Sequence, residues 1–159
     1  MTEQINSEDQ GETMMDSSDW SKQINDVISW LDKKNYSVEF KSDAEDCVDF
    51  MDRVVLINSR NHPETKYYTL LHECGHVLIS GDSRFEKEMP MYATSSDGRS
   101  ARSVAYRVST VAEEIEAWKR GRRLASRLGH YVDDGKYDAS ISKNVMSYIQ
   151  WAADGGGTT

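Results

Sequence analysis

Two cysteines in a chain of 159 residues leave no disulfide framework to build on. Cys47 and Cys74 fit a reducing compartment, and they are too few for a zinc ribbon. Proline is equally scarce. Pro63 and Pro90 are the only two, so no proline breaks a helix between them. No apolar run reaches the length of a membrane span, and the first residues are acidic and polar, unlike a signal sequence. Lys and Arg are missing from residues 1 to 18, which carry Glu3, Glu8, Asp9, Glu12 and Asp16. No internal repeat is visible. A secreted disulfide scaffold and a membrane protein are thereby set aside, and a cytoplasmic protein with no membrane partner is expected.

What is there suits one domain with tails. The net charge of -8 is concentrated in the first segment, and the remainder is only weakly acidic. Residues 1–18 are rich in Ser, Glu, Asp, Gln and Thr and are expected to be a disordered acidic tail. Residues 19–153 form the domain, and 154–159, with Gly155-Gly156-Gly157, form a flexible end. Trp20, Ile24, Val27, Ile28 and Leu31 recur at helical spacing, which predicts an amphipathic helix over 19–34 with Asn35 as its cap. Residues 36–40, 46–50 and 53–59 read as strands, with Val54-Val55-Leu56-Ile57 the most buried. A last amphipathic helix is expected over 138–152. Its apolar side, Ile141, Val145, Tyr148, Ile149 and Ala152, is core rather than a cofactor site. The fold class is α+β.

The most informative stretch is His72-Glu73-Cys74-Gly75-His76, an HExxH pattern. On a helix, residues four apart share a face, so both imidazoles can reach one ion. Glu73, beside the first ligand, can polarise a water there. Two imidazoles with an open side suit catalytic zinc. The bland alternative is a chance pattern of solvent-facing histidines. The flanks favour a buried helix instead: Tyr67, Tyr68, Leu71, Val77 and Leu78 are apolar, and Ser80-Gly81-Asp82 stops it. Cys74 points off the histidine face and fits as small core packing. His62, beside Pro63, reads as a turn residue.

Such a site needs a third protein ligand, and Glu86, Glu88, Glu113, Glu114, Glu116 and His130 are the downstream candidates. Thr110 with Glu113 reads as a capping box opening a helix over 111–128 that Gly129 ends, which gives Glu113 a structural role. Steps of three and four from Glu114 meet Ala117, Trp118, Gly121, Ala125 and Leu128. That face is apolar and partly small, so another backbone can approach, and a carboxylate on it needs a partner. A zinc ion is such a partner; a buried ion pair or a contact with the helix dipole is the plainer one. Glu114 is the expected ligand and Glu113 the next choice. Glu113 and Glu116 step to Arg120 or Arg123, so their faces read as solvated.

Thr69 to His76 followed by Glu114-Ile115-Glu116-Ala117 resembles the ImmA/IrrE-type zinc metallopeptidases over roughly residues 36 to 128. In that family HExxH lies on one helix and a glutamate of an ExxA motif on the next. The resemblance implies a minimal zincin-like domain, with a small twisted sheet on the two helices. It implies a gluzincin-like site, with zinc on His72, His76 and Glu114 and Glu73 as the base. Trp118 stands where asparagine is common, which is more similar to small phage and prophage members. Bacterial cytoplasm, or that of a phage host, then follows as the compartment.

The function expected is a zinc-dependent hydrolase cleaving peptide bonds of a protein substrate, a regulatory protein being one candidate, with Glu73 as general base. A second donor for the oxyanion is required, and Tyr92, Tyr106, Tyr137 and His130 are candidates. The last strand could pair with an extended substrate. Residues 81–108 lack a period and could line the cleft. The alternative is a zinc-binding interaction protein on a zincin scaffold without proteolysis, against which the intact Glu73 argues. A DNA-associated SprT-type protease would need a zinc ribbon. Lys119, Arg120, Arg122, Arg123 and Arg127 give the glutamate helix a basic side. A solvated face is the plain reading; overall acidity argues against a nucleic-acid partner.

Overall fold

The computed structural model describes residues 14–84 and 103–156. Glu86, Glu88, Tyr92, most of the expected acidic tail and most of the unpatterned 81–108 segment lie outside them, as do the last three residues.

Helix α1 spans Ser17–Asp32, so it begins inside the stretch assigned to the tail. Asp16 is the reason. Its carboxylate accepts the backbone N–H of Ser18 at 2.7 Å and of Asp19 at 3.0 Å, and Asp19 accepts the Asp16 N–H at 3.1 Å. Asp16, counted as tail, is here one half of a reciprocal cap with Asp19. The helix buries Trp20, Gln23, Val27 and Leu31. Asn35 comes after the cap, which is Lys33, and turns the chain in the left-handed region at φ 61°.

Three strands follow: β1 Ser37–Lys41, β2 Cys47–Asp49 and β3 Val54–Asn58. The sheet order is β1-β3-β2. β3 pairs parallel with β1 (Val38 opposite Val55) and antiparallel with β2 (Val48 opposite Val55). The last strand is therefore central. Val55 and Ile57 point fully into the core. An edge that could accept a further strand belongs to β1 or β2, which corrects the expectation for the last strand.

Helix α2 spans Pro63–Ser80 and begins with Pro63 in its first turn, after His62 as N-cap. Proline is suited to that position because its missing N–H would have no partner there anyway. Tyr67, Leu70, Leu71 and Cys74 are fully buried, and Tyr68, Val77 and Ile79 nearly so. α2 packs against α1, β3, β2 and a long helix α3, which makes it the centre of the molecule.

α3 runs Val104–Leu128, seven residues earlier than the sequence reading. Its N-cap is Ser103, not Thr110. The Thr110 hydroxyl instead donates to the Tyr106 carbonyl one turn back, at 2.9 Å. That local bond is open to threonine inside a helix as well as at its start, and it misled the pattern. Gly129 ends α3 in the left-handed conformation, φ 71°, as expected. α4 covers Asp134–Ala153, opened by Asp133, and packs on α3. Ile141 and Val145 reach the core, whereas Ile149 is exposed.

The described residues thus form an α+β fold of four helices and a three-stranded mixed sheet. No helix among them is long and apolar enough to cross a membrane.

Candidate metal centre

The site is built by two helices whose backbones touch. A Cβ added to Gly75 would lie 1.9 Å from the carbonyl oxygen of Ala117. One added to Gly121 would lie 2.4 Å from the carbonyl oxygen of Leu71. Moving back four residues on α2 moves forward four on α3, so the helices run antiparallel. Only glycine permits that approach at either position. The small face read from the sequence is therefore where the helices meet, and it carries Glu114 across to the histidines.

Three donor groups converge there. His72 Nε2 and His76 Nε2 are 3.2 Å apart. His72 Nε2 is 3.1 Å from Glu114 Oε2, and His76 Nε2 is 3.5 Å from Glu114 Oε1. The ligand atoms of all three residues fall within 4.8 Å of one another. A tetrahedral zinc ion with ligands at about 2.0–2.1 Å sets its donors roughly 3.3 Å apart, which matches this triangle. The chemistry of the set fits as well. Glu114 Oε2, though close to His72, completes no hydrogen bond and is buried. Two imidazole nitrogens face each other. These are electron-pair donors aimed at a common point.

The protons of this cluster are shared unequally. Burial alone would raise the Glu114 carboxyl, but the two imidazoles beside it outweigh burial and bring it down to about 2. Burial likewise opposes charge on His76, yet Glu113 and Glu114 together raise it to about 10. His72 is lowered, chiefly by burial. Glu73, buried and without an ion pair among the described residues, is pushed up to about 8 by loss of solvent.

Glu113 is the clearest correction. The sequence reading gave it a cap and a solvated face. Its Oε1 instead lies 3.0 Å from His76 Nδ1, the nitrogen turned away from the triangle. A carboxylate there fixes the tautomer and the ring. Glu116 pairs with Arg120 at 2.8 Å, as its spacing implied, but the pair is largely covered rather than solvated. Arg120 also meets Asp82 at 3.2 Å, and Arg122 reaches Asp134 and Asp138, so much of the basic side of α3 is spent on ties within the fold.

Trp118 stacks on His72 with ring centres 4.4 Å apart and planes inclined by 28°. Its indole N–H donates to Asn144 Oδ1 at 2.8 Å, which links α4 to the residue that stacks on His72. The wall opposite is β2 and its flanks: Asp46, Cys47 and Phe50 line the same cavity, of about 220 Å³, as His72, Glu73 and Tyr148. β2 is thus the sheet edge beside the site.

The oxyanion-donor candidates fare differently. The Tyr137 hydroxyl is buried and donates to the Trp118 carbonyl at 2.9 Å. His130 is held between Tyr67 at 2.8 Å and Asp26 at 3.2 Å, in contact with α1 and α2. Tyr106 packs its ring near Trp151. None of them lines the cavity. Tyr148 does, and the sequence reading missed it as one more member of an apolar stripe. No sequence signal separates it from that stripe. Comparison with protein-family models, curated proteins and solved structures finds no match to this chain.

Proposed function

We propose that the protein is a zinc-dependent peptidase. The observation that carries this reading is the triangle of His72 Nε2, His76 Nε2 and a Glu114 carboxylate, 3.1–3.5 Å on a side, with Glu73 in the same cavity.

His72, His76 and Glu114 would hold the metal. A zinc ion bound there supplies Lewis acidity, which makes a water acidic near neutral pH and polarises a scissile carbonyl. Glu73 takes the proton of the attacking water and delivers it to the leaving nitrogen. Glu113 holds His76 in one tautomer. Trp118 covers one face of His72 and excludes water from it. Among the described residues no strand pairs with the outer edge of β2 beside the cavity, and an extended peptide would add there as a further strand.

A metal site with a purely architectural role is the reading from another class. A buried carboxylate without an ion-pair partner is costly to keep in such a site. Glu73 is that carboxylate, and it favours hydrolysis. The test is incubation of the zinc-loaded chain with a mixture of peptides, comparing wild type with Glu73→Gln. Cleavage by the first and none by the second supports the reading. Equal cleavage by both removes Glu73 as the base. Zinc binding with no cleavage by either leaves the architectural role.

A further inference from the structure

A peptidase of this kind needs a hydrogen-bond donor aimed at the oxyanion that forms when the carbonyl carbon becomes tetrahedral. The cavity narrows the choice. Among the described residues lining it, the side chains other than the two histidines that carry a donor proton are Cys47 and Tyr148, and a thiol is a weak donor. No lysine or arginine among the described residues lines it.

We propose that Tyr148 is that donor: from the cavity wall it shares with Glu114, its hydroxyl hydrogen-bonds the oxyanion as the tetrahedral species forms. The assignment rests on the peptidase reading above and deepens it. Tyr148 comes from α4, which supplies none of the three ligand residues, so the phenol and the ligands face the cavity from different elements. Its position is braced on both sides. Asn144, one turn earlier, is tied to the indole of Trp118, and Trp118 stacks on His72. Four residues later, the Ala152 carbonyl accepts a hydrogen bond from Arg107 of α3. The stretch of α4 that carries Tyr148 is therefore anchored to α3 on both sides, once through the indole that covers His72, which is the preorganisation an oxyanion donor requires. No proton is transferred in this step. The hydroxyl keeps its hydrogen and only donates it in a hydrogen bond to the oxyanion. Glu73 remains the group that moves protons.

The test is Tyr148→Phe in the full chain, which removes one oxygen and keeps the ring. Zinc content and thermal melting should match the wild type. Peptide turnover should fall about 100-fold in kcat with KM within about twofold. An independent readout is calorimetric binding of N-phosphoryl-leucyl-tryptophan, whose tetrahedral phosphoryl group imitates the oxyanion. Its affinity should fall by a similar factor, while affinity for the dipeptide leucyl-tryptophan should not change. Turnover and phosphoryl-peptide affinity both within twofold of wild type would overturn the assignment. So would loss of zinc, which would make Tyr148 a positioning residue for Glu114. A wild type that cleaves no peptide sinks the peptidase reading by itself; the phosphoryl-peptide comparison still decides whether Tyr148 serves a tetrahedral anion. Failure of the wild type to bind that probe overturns both.

Discussion

Gly75 of α2 rests on the backbone of Ala117 of α3, so closely that a single added Cβ would overlap the Ala117 carbonyl at 1.9 Å. That contact sets the distance from which Glu114 reaches His72 and His76. Gly75→Ala should force the helices apart and destabilise the chain by about 3 kcal/mol or more, since neither side is a flexible side chain. It should also weaken zinc binding by separating the ligands. Denaturant melts and metal titration check this, and a normal melt with normal zinc affinity would mean that the helices adjust freely.

Glu113 and Glu114 are adjacent, yet their substitutions should differ. Glu114→Ala removes a member of the donor triangle and should abolish most zinc binding. Glu113→Ala leaves the triangle but frees His76 Nδ1, and should weaken zinc affinity about 10- to 100-fold. Competition with a chelator of known affinity separates the two. Equal losses would place both carboxylates on the metal.

The histidine pair was legible because HExxH puts both imidazoles on one face whatever the rest of the chain does. Glu114 was legible from Ala117, Gly121 and Ala125, whose small size announces a close helix contact. The central helix, the three strands and the α+β class were readable from period and apolar runs. Glu113 was misread because Thr110 and Glu113 satisfy a capping pattern that says nothing about what precedes it. Val104 to Ser109 continue the helix, but Ser103 and Ser109 look like loop residues until Ser109 is seen buried. Tyr148 was hidden for another reason. Which residue of an apolar stripe borders a cavity depends on how α4 lies across α3, and that angle is a property of the packed molecule. Sheet order is similar: β3 is central because β1 joins it in parallel and β2 antiparallel, and strand lengths alone do not tell these apart.

Metal binding should release protons. In the metal-free cluster His76 holds a proton up to about pH 10, and Glu73 up to about pH 8. Zinc requires His76 neutral on its metal-facing nitrogen, so apparent affinity should rise about tenfold per pH unit for each proton displaced. The metal-free chain should show the reverse trend in stability. A raised histidine contributes stability that is complete below its ordinary value near 6.5 and is lost as pH climbs toward 10. A raised glutamate loses stability from its ordinary value near 4.5 up to about 8. Both slopes have the same sign, so the metal-free melting temperature should fall between pH 6 and 9, and zinc should offset the fall. A flat metal-free profile over that range would contradict the arrangement of charges.

Trp118 joins three elements: it sits on α3, stacks on His72 of α2 and donates to Asn144 of α4. The indole is nearly fully buried. Asn144→Ala should leave its N–H without an acceptor and cost about 1–3 kcal/mol, the range for a buried donor left unpaired. Trp118→Phe should cost stability through lost contact area as well as the lost bond. In the double variant the hydrogen-bond penalty has already been removed, so the two costs should sum to more than the measured loss. A coupling of about 1 kcal/mol or more between the positions is expected from such a cycle. Strict additivity would mean that the bond contributes nothing and that α4 is held by packing alone. Zinc affinity should follow the same order, because each loosening of Trp118 frees the His72 ring it covers, and among the described residues His72 Nδ1 has no hydrogen-bond partner to hold it instead.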